Sequence, residues 1–362
     1  MDAADRALLE RCLELAERGA RSAAPNPMVG CVLVRDGAVI GEGWHERPGQ
    51  PHAEINALRA AGDAHGATAY VSLEPCAHHG RTPPCADALV QAGVARVVVA
   101  AGDPDPRTNG QGLDRLGAAS IEVEVATSDT DIARRARLQN APFRTLVRLG
   151  RPHVTYKAAV SLDGRTATAS GESRWISSPE SRRMVHEWRA RASAVGVGVG
   201  TAVADDPMLT ARDCSPPAAR QPLRVVFDPG ARLPLASALV RSAAEVPLVV
   251  VASPGAEGAE RLRAAGADVV EADDLRSGLA ELGRRELSSL LIEGGAILAG
   301  ALLAEDLVDR LALFVAPILL GDGPGVAEGW SAETIEDARR AGSLRSQPVG
   351  PDTLLVAELH EN

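Results

Sequence analysis

Along the first half of the chain, short apolar runs alternate with stretches whose apolar positions recur every three to four residues. The runs at 31–35, 39–43, 69–73, 94–100 and 121–125 read as strands. Between them, Pro51-His52 opens a segment in which Ala53, Ile55, Ala57, Leu58 and Ala61 predict a helix buried along one side. A second helix is expected at 86–91, prepared by Pro83-Pro84 and ended by Gly93. Residues 129–139 read as the last helix of this unit. Gly150 and Pro152 punctuate a crossover over 143–152, which puts a domain boundary near residue 147.

From Pro152 a second series begins: a strand at 154–160, a helix at 179–191, strands at 194–199, 223–227 and 246–252, then further alternation to Glu358. Two helix-covered α/β units are therefore expected, 1–147 and 148–362. Gly196, Gly198 and Gly200 alternate within or beside a strand, so the Gly-x-Gly-x-x-Gly fingerprint of dinucleotide folds is missing from its usual strand-to-helix place. Leu290-Leu291-Ile292-Glu293-Gly294-Gly295-Ala296 reads instead as a strand ending in Gly-Gly at the start of a helix through Leu303, where bare backbone N–H groups suit a phosphate. A simple tight turn is the alternative, and the Glu293 carboxylate would better face a substrate hydroxyl than a phosphate.

Composition adds bounds rather than chemistry. At 362 residues and 45% hydrophobic, the chain is long enough for two cores. Residues 1–20 are helix-periodic and charged without an apolar run, so neither a secretory signal nor a membrane span is expected, and the cytoplasm is the default. Five irregularly spaced cysteines do not form a disulfide framework. The net charge of −10 argues against nucleic acid as partner, yet leaves room for a small phosphorylated substrate, which needs one or two local cations. A homo-oligomer is compatible with all of this.

The chemistry gathers at His52-Ala53-Glu54, Cys76 and Cys85. One imidazole and two thiolates suit Zn²⁺ and leave its fourth tetrahedral position to water. In zinc nucleobase deaminases the Glu of His-x-Glu stays off the metal and shuttles protons, the role expected of Glu54. The helix start at His52 should keep its imidazole neutral, and Cys85 at another helix start should ionise easily. A closed structural zinc site completed by His78 or His79 is the alternative, and the Cys-to-Cys spacing departs from Cys-x-x-Cys. A second clue is Lys157, the single lysine among 38 basic residues. Only Lys offers a compact charge whose pKa burial can tune; a solvated edge lysine is the bland reading.

Pro25-Asn26-Pro27-Met28-Val29-Gly30, Gly43-Trp44-His45, the run from Leu73 through Cys76-Ala77-His78-His79-Gly80-Arg81-Thr82-Pro83-Pro84 to Cys85, and Gly102-Asp103-Pro104 surround the zinc motif. With them this half closely resembles the deaminase domain of the bifunctional riboflavin-biosynthesis deaminase/reductase family, with Asp105 where that family usually shows Asn. The second half resembles the same family's reductase domain through 157–165, Gly171-Glu172-Ser173-Arg174-Trp175-Ile176, 200–212 and Glu293-Gly294-Gly295. The resemblance implies a cytidine-deaminase-like α/β/α sandwich followed by a dihydrofolate-reductase-like α/β domain, with one Zn²⁺ and NADPH as cofactors.

The resemblance further implies that NADPH is held by Ala159, Trp175, Thr201, Asp205 and the turn and helix of Gly295, Ala296, Ile297, Leu298, Ala299, Gly300 and Ala301. Ser173, Arg189, Leu209, Arg212 and Glu293 would hold the ribose phosphate, with Lys157 and Asp205 as candidates for polarising or protonating the reduced carbon. Each carries a bland reading, Trp175 as core and Arg189 as a helix-surface charge among them. Two other functions compete with this one: a nucleoside or tRNA deaminase whose second domain merely binds substrate, and a non-catalytic zinc-stabilised binding protein.

Overall fold

The computed structural model describes residues 1–77, 84–105 and 108–361. It divides into two compact units, Met1–Leu149 and Gly150–Glu361. The first runs α1 (Ala3–Glu17), β1 (Gly30–Arg35), β2 (Ala38–Trp44), α2 (Ala53–Ala61), β3 (Thr68–Val71), α3 (Cys85–Gln91), β4 (Arg96–Val99), α4 (Gln111–Ala118), β5 (Glu122–Val125), α5 (Asp131–Gln139) and α6 (Ala141–Leu149). Its sheet has the order β2-β1-β3-β4-β5, antiparallel around β1 and parallel from β3 to β5. The period of two in the sequence decides the layering. Cys31, Leu33, Val97 and Val99 pack against α2, α3 and α4, while Val32, Tyr70 and Val98 point the other way, onto α1 and α5.

The second unit runs β6 (His153–Val160), α7 (Pro179–Arg191), β7 (Ala194–Gly198), α8 (Val199–Asp205), β8 (Leu223–Phe227), α9 (Ala238–Arg241), β9 (Leu248–Ala252), α10 (Ala259–Ala264), β10 (Asp268–Glu271), α11 (Leu275–Arg284), β11 (Ser289–Glu293), α12 (Ala296–Ala304), β12 (Arg310–Val315), β13 (Ser343–Val349) and β14 (Asp352–Glu358). Its nine strands lie in the order β10-β9-β8-β7-β11-β6-β12-β14-β13, parallel from β10 to β12 and closed by an antiparallel hairpin. Val249 and Val251 face α11 and α12, whereas Val250 and Ala252 face α9 and α10. Such two-faced burial is what a parallel sheet requires.

Three expectations change here. The stretch read as a crossover is α6, so the unit's last helix is not the one read at 129–139; the two units divide after Leu149. The strand expected at 194–199 stops at Gly198, where helix α8 begins, so Gly200 is helical. Lys157 is not on an edge, because β6 is flanked by β11 and β12.

A buried ion pair fastens the start of β6 to that of β12. Arg151 donates from Nη1 and Nη2 to Asp309 at 2.7 and 2.9 Å, and the Val154 amide donates to Asp309 Oδ2 at 2.7 Å. Asp309 is fully buried, and Arg151 nearly so. Burial pushes the Asp309 carboxyl up and Arg151 more than offsets it. Asp309→Ala strands a buried guanidinium and a strand amide together, so the free energy of unfolding should fall by about 3–5 kcal/mol, read as a lower denaturant midpoint.

Candidate functional site

In the first unit, three local devices converge. Gly43 lets α2 lie directly on β2: a Cβ there would meet Ala53 O and Ala57 N at 2.4 Å. The Asn56 side chain then donates to Trp44 O at 2.9 Å, which ties the first turn of α2 to the end of β2. His52 becomes the N-cap of α2 and Glu54 lies in its first turn. Cys76 follows β3, and Cys85 opens α3 behind the N-cap Pro84. The first amide of that helix, Cys85 N–H, donates to Cys76 Sγ at 3.3 Å.

The result is a tight cluster. His52 Nδ1 lies 3.7 Å from Cys76 Sγ and 3.3 Å from Cys85 Sγ, and the ligand atoms of all three lie within 4.8 Å of one another. Tetrahedral zinc with two sulfur donors and one nitrogen holds its ligand atoms about 3–4 Å apart. The thiol of Cys85 donates toward Cys76 and, with His52, holds Cys76 well below the ordinary thiol range, while that bond and burial push Cys85 up. One proton shared by two thiols is what a divalent cation displaces. In the metal-free cluster the sulfur of Cys76 raises His52 above its usual value.

Glu54 supplies the other half of the fit. It is 3% exposed, burial pushes its carboxyl up to about 6, and its Oε2 has no hydrogen-bond partner among the described residues. A buried unpaired carboxylate oxygen is costly unless a ligand meets it. His78 and His79, the alternative fourth ligands, lie outside the described residues, as do Arg81-Thr82-Pro83 and Pro106-Arg107 of the flanking motifs.

In the second unit, β6 and β11 run parallel with Lys157 opposite Glu293. Arg189, from α7, grips Glu293 twice, Nε to Oε1 at 2.5 Å and Nη2 to Oε2 at 2.9 Å, and donates to Thr210 O at 3.0 Å. It is no helix-surface charge: its side chain is 14% exposed. Burial pushes the Glu293 carboxyl up, and Arg189 with Lys157 brings it to a net downward shift. Lys157 is shifted down by burial, with its Nζ 5.7 Å from the Phe314 ring centre. Arg212 is exposed and donates from Nη1 to Thr210 Oγ1 at 3.0 Å.

The proposed cofactor residues divide. Thr201 borders the Gly294-Gly295 turn, since a Cβ on Gly295, whose φ is +85°, would lie 3.2 Å from Thr201 Oγ1. Gly295 caps α12 without a side chain, leaving the first-turn amides bare. Ser173, Trp175, Asp205 and Ile297 are exposed, Trp175 at 72%, so Trp175 is not core. Arg174 donates to Asp205 O at 3.0 Å, joining that loop to the end of α8. Ala159 packs beside Met184 and Trp188. Leu298 and Ala299 are core, and a Cβ on Gly300 would strike Glu328 O, so within 295–301 the exposed surface lies on the first turn and, in part, at Ala301. Leu209 is likewise a core side chain, at φ +51°. Any ligand contact by these buried residues runs through the backbone.

Three placements involve residues to which the sequence reading gave no role. His45 sits edge-on to the His52 ring, centroids 5.2 Å apart. Glu74 accepts the amides of Asp103 and Gly112, both at 3.3 Å, and burial pushes Asp103 up to about 7. His186 lies one turn before Arg189. That helical spacing was the available signal for His186; the other two are tertiary meetings.

These two sites define a class of protein, a zinc-type aminohydrolase domain followed by a reductase domain. Residues 2–101 match the cytidine and deoxycytidylate deaminase zinc-binding region, and residues 152–355 match the RibD C-terminal domain. The chain belongs to the RibD family of bifunctional riboflavin-biosynthesis deaminase/reductases. It is 43% identical to the riboflavin biosynthesis protein RibD of Escherichia coli (strain K12), over 97% of this chain and 98% of that one. With RibD of Aquifex aeolicus the identity is 40%, over 97% of each. Among solved structures, Acinetobacter baumannii RibD covers 98% of both chains at 40% identity and a TM-score of 0.85. A Thermotoga maritima diaminohydroxyphosphoribosylaminopyrimidine deaminase/5-amino-6-(5-phosphoribosylamino)uracil reductase gives 31% identity, 98% of both chains and a TM-score of 0.86. Family membership over both halves sets aside the single-activity deaminase and the non-catalytic zinc protein.

The metal site is checked by metal content. Cys85→Ala should purify with most of its zinc lost, whereas Glu54→Gln should keep it, because the carboxylate is not a ligand.

Proposed function

We propose that the first domain hydrolytically deaminates 2,5-diamino-6-ribosylamino-4(3H)-pyrimidinone 5′-phosphate to 5-amino-6-ribosylaminouracil 5′-phosphate and ammonia. The second then reduces the ribosyl side chain to ribityl with NADPH. The observation that carries the reading is the buried, unpartnered Glu54 oxygen beside a His-Cys-Cys donor set. When bound, zinc supplies an activated water at neutral pH, and NADPH supplies hydride.

His52, Cys76 and Cys85 hold the metal. Glu54 takes one proton from the attacking water and passes it to the ring nitrogen, then takes the second from the added hydroxyl as the carbonyl forms and passes it to the leaving amine. A carboxyl raised toward neutrality is suited to both directions of transfer. In the reductase, Arg212 is assigned to the substrate phosphate together with Ser173 and the backbone of Leu209. Arg189 joins them by way of Glu293, which orients a sugar hydroxyl. Lys157 and Asp205 are assigned to the carbon that receives hydride, Lys157 because burial loosens its proton. Thr201, Trp175, Ala159 and the first turn of α12 are assigned to NADPH, with its phosphates on the bare amides. The setting is taken to be the cytoplasm, with a small phosphorylated pyrimidine as the partner and no nucleic acid. Among the described residues no helix is long and apolar enough to cross a membrane.

Zinc removal separates the two steps. Stripped protein should oxidise no NADPH with the diamino substrate and regain oxidation when given the deaminated intermediate. Oxidation of NADPH with the diamino substrate after stripping would overturn the assigned order. Glu54→Gln should lower ammonia release by about 10²–10⁴-fold and leave reduction of the deaminated intermediate intact.

A further inference from the structure

The segment between α8 and β8 has no regular secondary structure, yet it carries Arg212. Side chains and backbone of α7 hold it in place. His186 Nδ1 accepts the Arg212 amide at 3.1 Å, Glu187 Oε1 accepts the Ser215 amide at 2.9 Å, and His186 O accepts the Cys214 thiol at 3.3 Å. Arg189 Nη1 holds Thr210 O from the same helix. Gln221 fixes the preceding residue by both backbone groups of Ala211, at 2.7 and 3.1 Å. At Arg212 itself the amide is met by the imidazole, the carbonyl accepts the Cys214 thiol at 3.3 Å and the guanidinium reaches Thr210 Oγ1; nothing in the proposed chemistry uses the imidazole.

We propose that His186 is a positioning residue of the reductase: its neutral ring fixes the Arg212 backbone, and thereby the guanidinium, for the substrate's phosphate. The inference rests on the assignment of Arg212 to that phosphate.

The chemistry of the contact makes it conditional. A ring nitrogen accepts an N–H only while it carries no proton. The groups facing His186 are Arg189 on its own helix, Arg212 and the Thr210 carbonyl on the segment, and Glu293 on β11. Burial and the two arginines set it below the ordinary histidine range. The neutral, gripping form therefore prevails at neutral pH, and the grip is lost as pH falls through that lowered value. Arg212 is exposed, so water can satisfy its amide when the imidazole is removed; what is lost is orientation.

The test uses the full-length protein with zinc and NADPH, measuring KM and kcat for reduction of the deaminated substrate with and without its phosphate. His186→Ala should raise KM for the phosphorylated form about five- to tenfold, with kcat little changed, and leave KM for the dephosphorylated form as it was. His186→Asn places an oxygen at the level of Nδ1 that does not titrate. It should restore KM and remove the acid-side rise that wild-type protein shows. An equal change in KM for both forms, no change in either, or no rescue by His186→Asn overturns the proposal. Should His186→Ala fail to fold, checked by thermal unfolding, the contrast between the flat profile of His186→Asn and the wild-type rise carries the test alone. Arg212→Gln separates the two layers. If it leaves KM for the phosphorylated form unchanged, the phosphate assignment fails; if it raises KM while His186→Ala does not, the positioning role alone fails.

Discussion

Apolar side chains cover both faces of the central strands of both sheets, with helices on either side. A strand buried in that way has little room for polar chemistry, and Lys157 within β6 is the exception. Reactive groups are pushed to where strands end and helices begin, as is general for open α/β sheets. Cys76 follows β3, His52 and Cys85 stand at the starts of α2 and α3, and Glu293 is the last residue of β11. Helix starts bring unpaired amides with them. The Cys85 amide meets a sulfur in the first unit, and the bare amides of α12 suit a phosphate in the second.

Two buried glutamates show how one residue type serves opposite ends. Glu54 has no guanidinium gripping it, and burial outweighs the pull of the neighbouring His52, so its proton affinity rises. Glu293 is as deeply placed, but Arg189 meets it with two parallel hydrogen bonds and keeps it ionised. The first is suited to carrying a proton and the second to holding a shape. Environments that drive like groups apart are how a single fold assigns acid, base and anchor.

Much of the first site was legible because its signals are local: His-x-Glu at a helix start and a thiol at the start of a Pro-led helix. Errors arose where local signals conflict. The alternation Ala194-Val195-Gly196-Val197-Gly198-Val199 reads as strand throughout, yet the chain turns into α8 at Gly198. Gly150 and Pro152 mark the true boundary, but 141–149 keeps an amphipathic period that a crossover would not have. Which of 295–301 point into the core was not legible, because a helix start that faces a ligand soon turns its next residues inward. The Arg189–Glu293 pair joins residues far apart in sequence, and no periodicity announces it.

Lys157 shows what composition can add when geometry is unknown. A chain that uses arginine for every other cation keeps lysine on an interior strand, in register with Glu293 and beneath Phe314. An arginine at this position would stay charged under any surroundings, and its planar fork would compete with Arg189 for the same carboxylate. Lysine is small enough to share the site and, once buried, releases its proton more readily. Burial and Arg189 push toward release while Glu293 pulls back. A lysine set between one cation and one anion in a buried strand holds its proton less tightly than a solvated one, and on a solvated edge that difference would be lost to water.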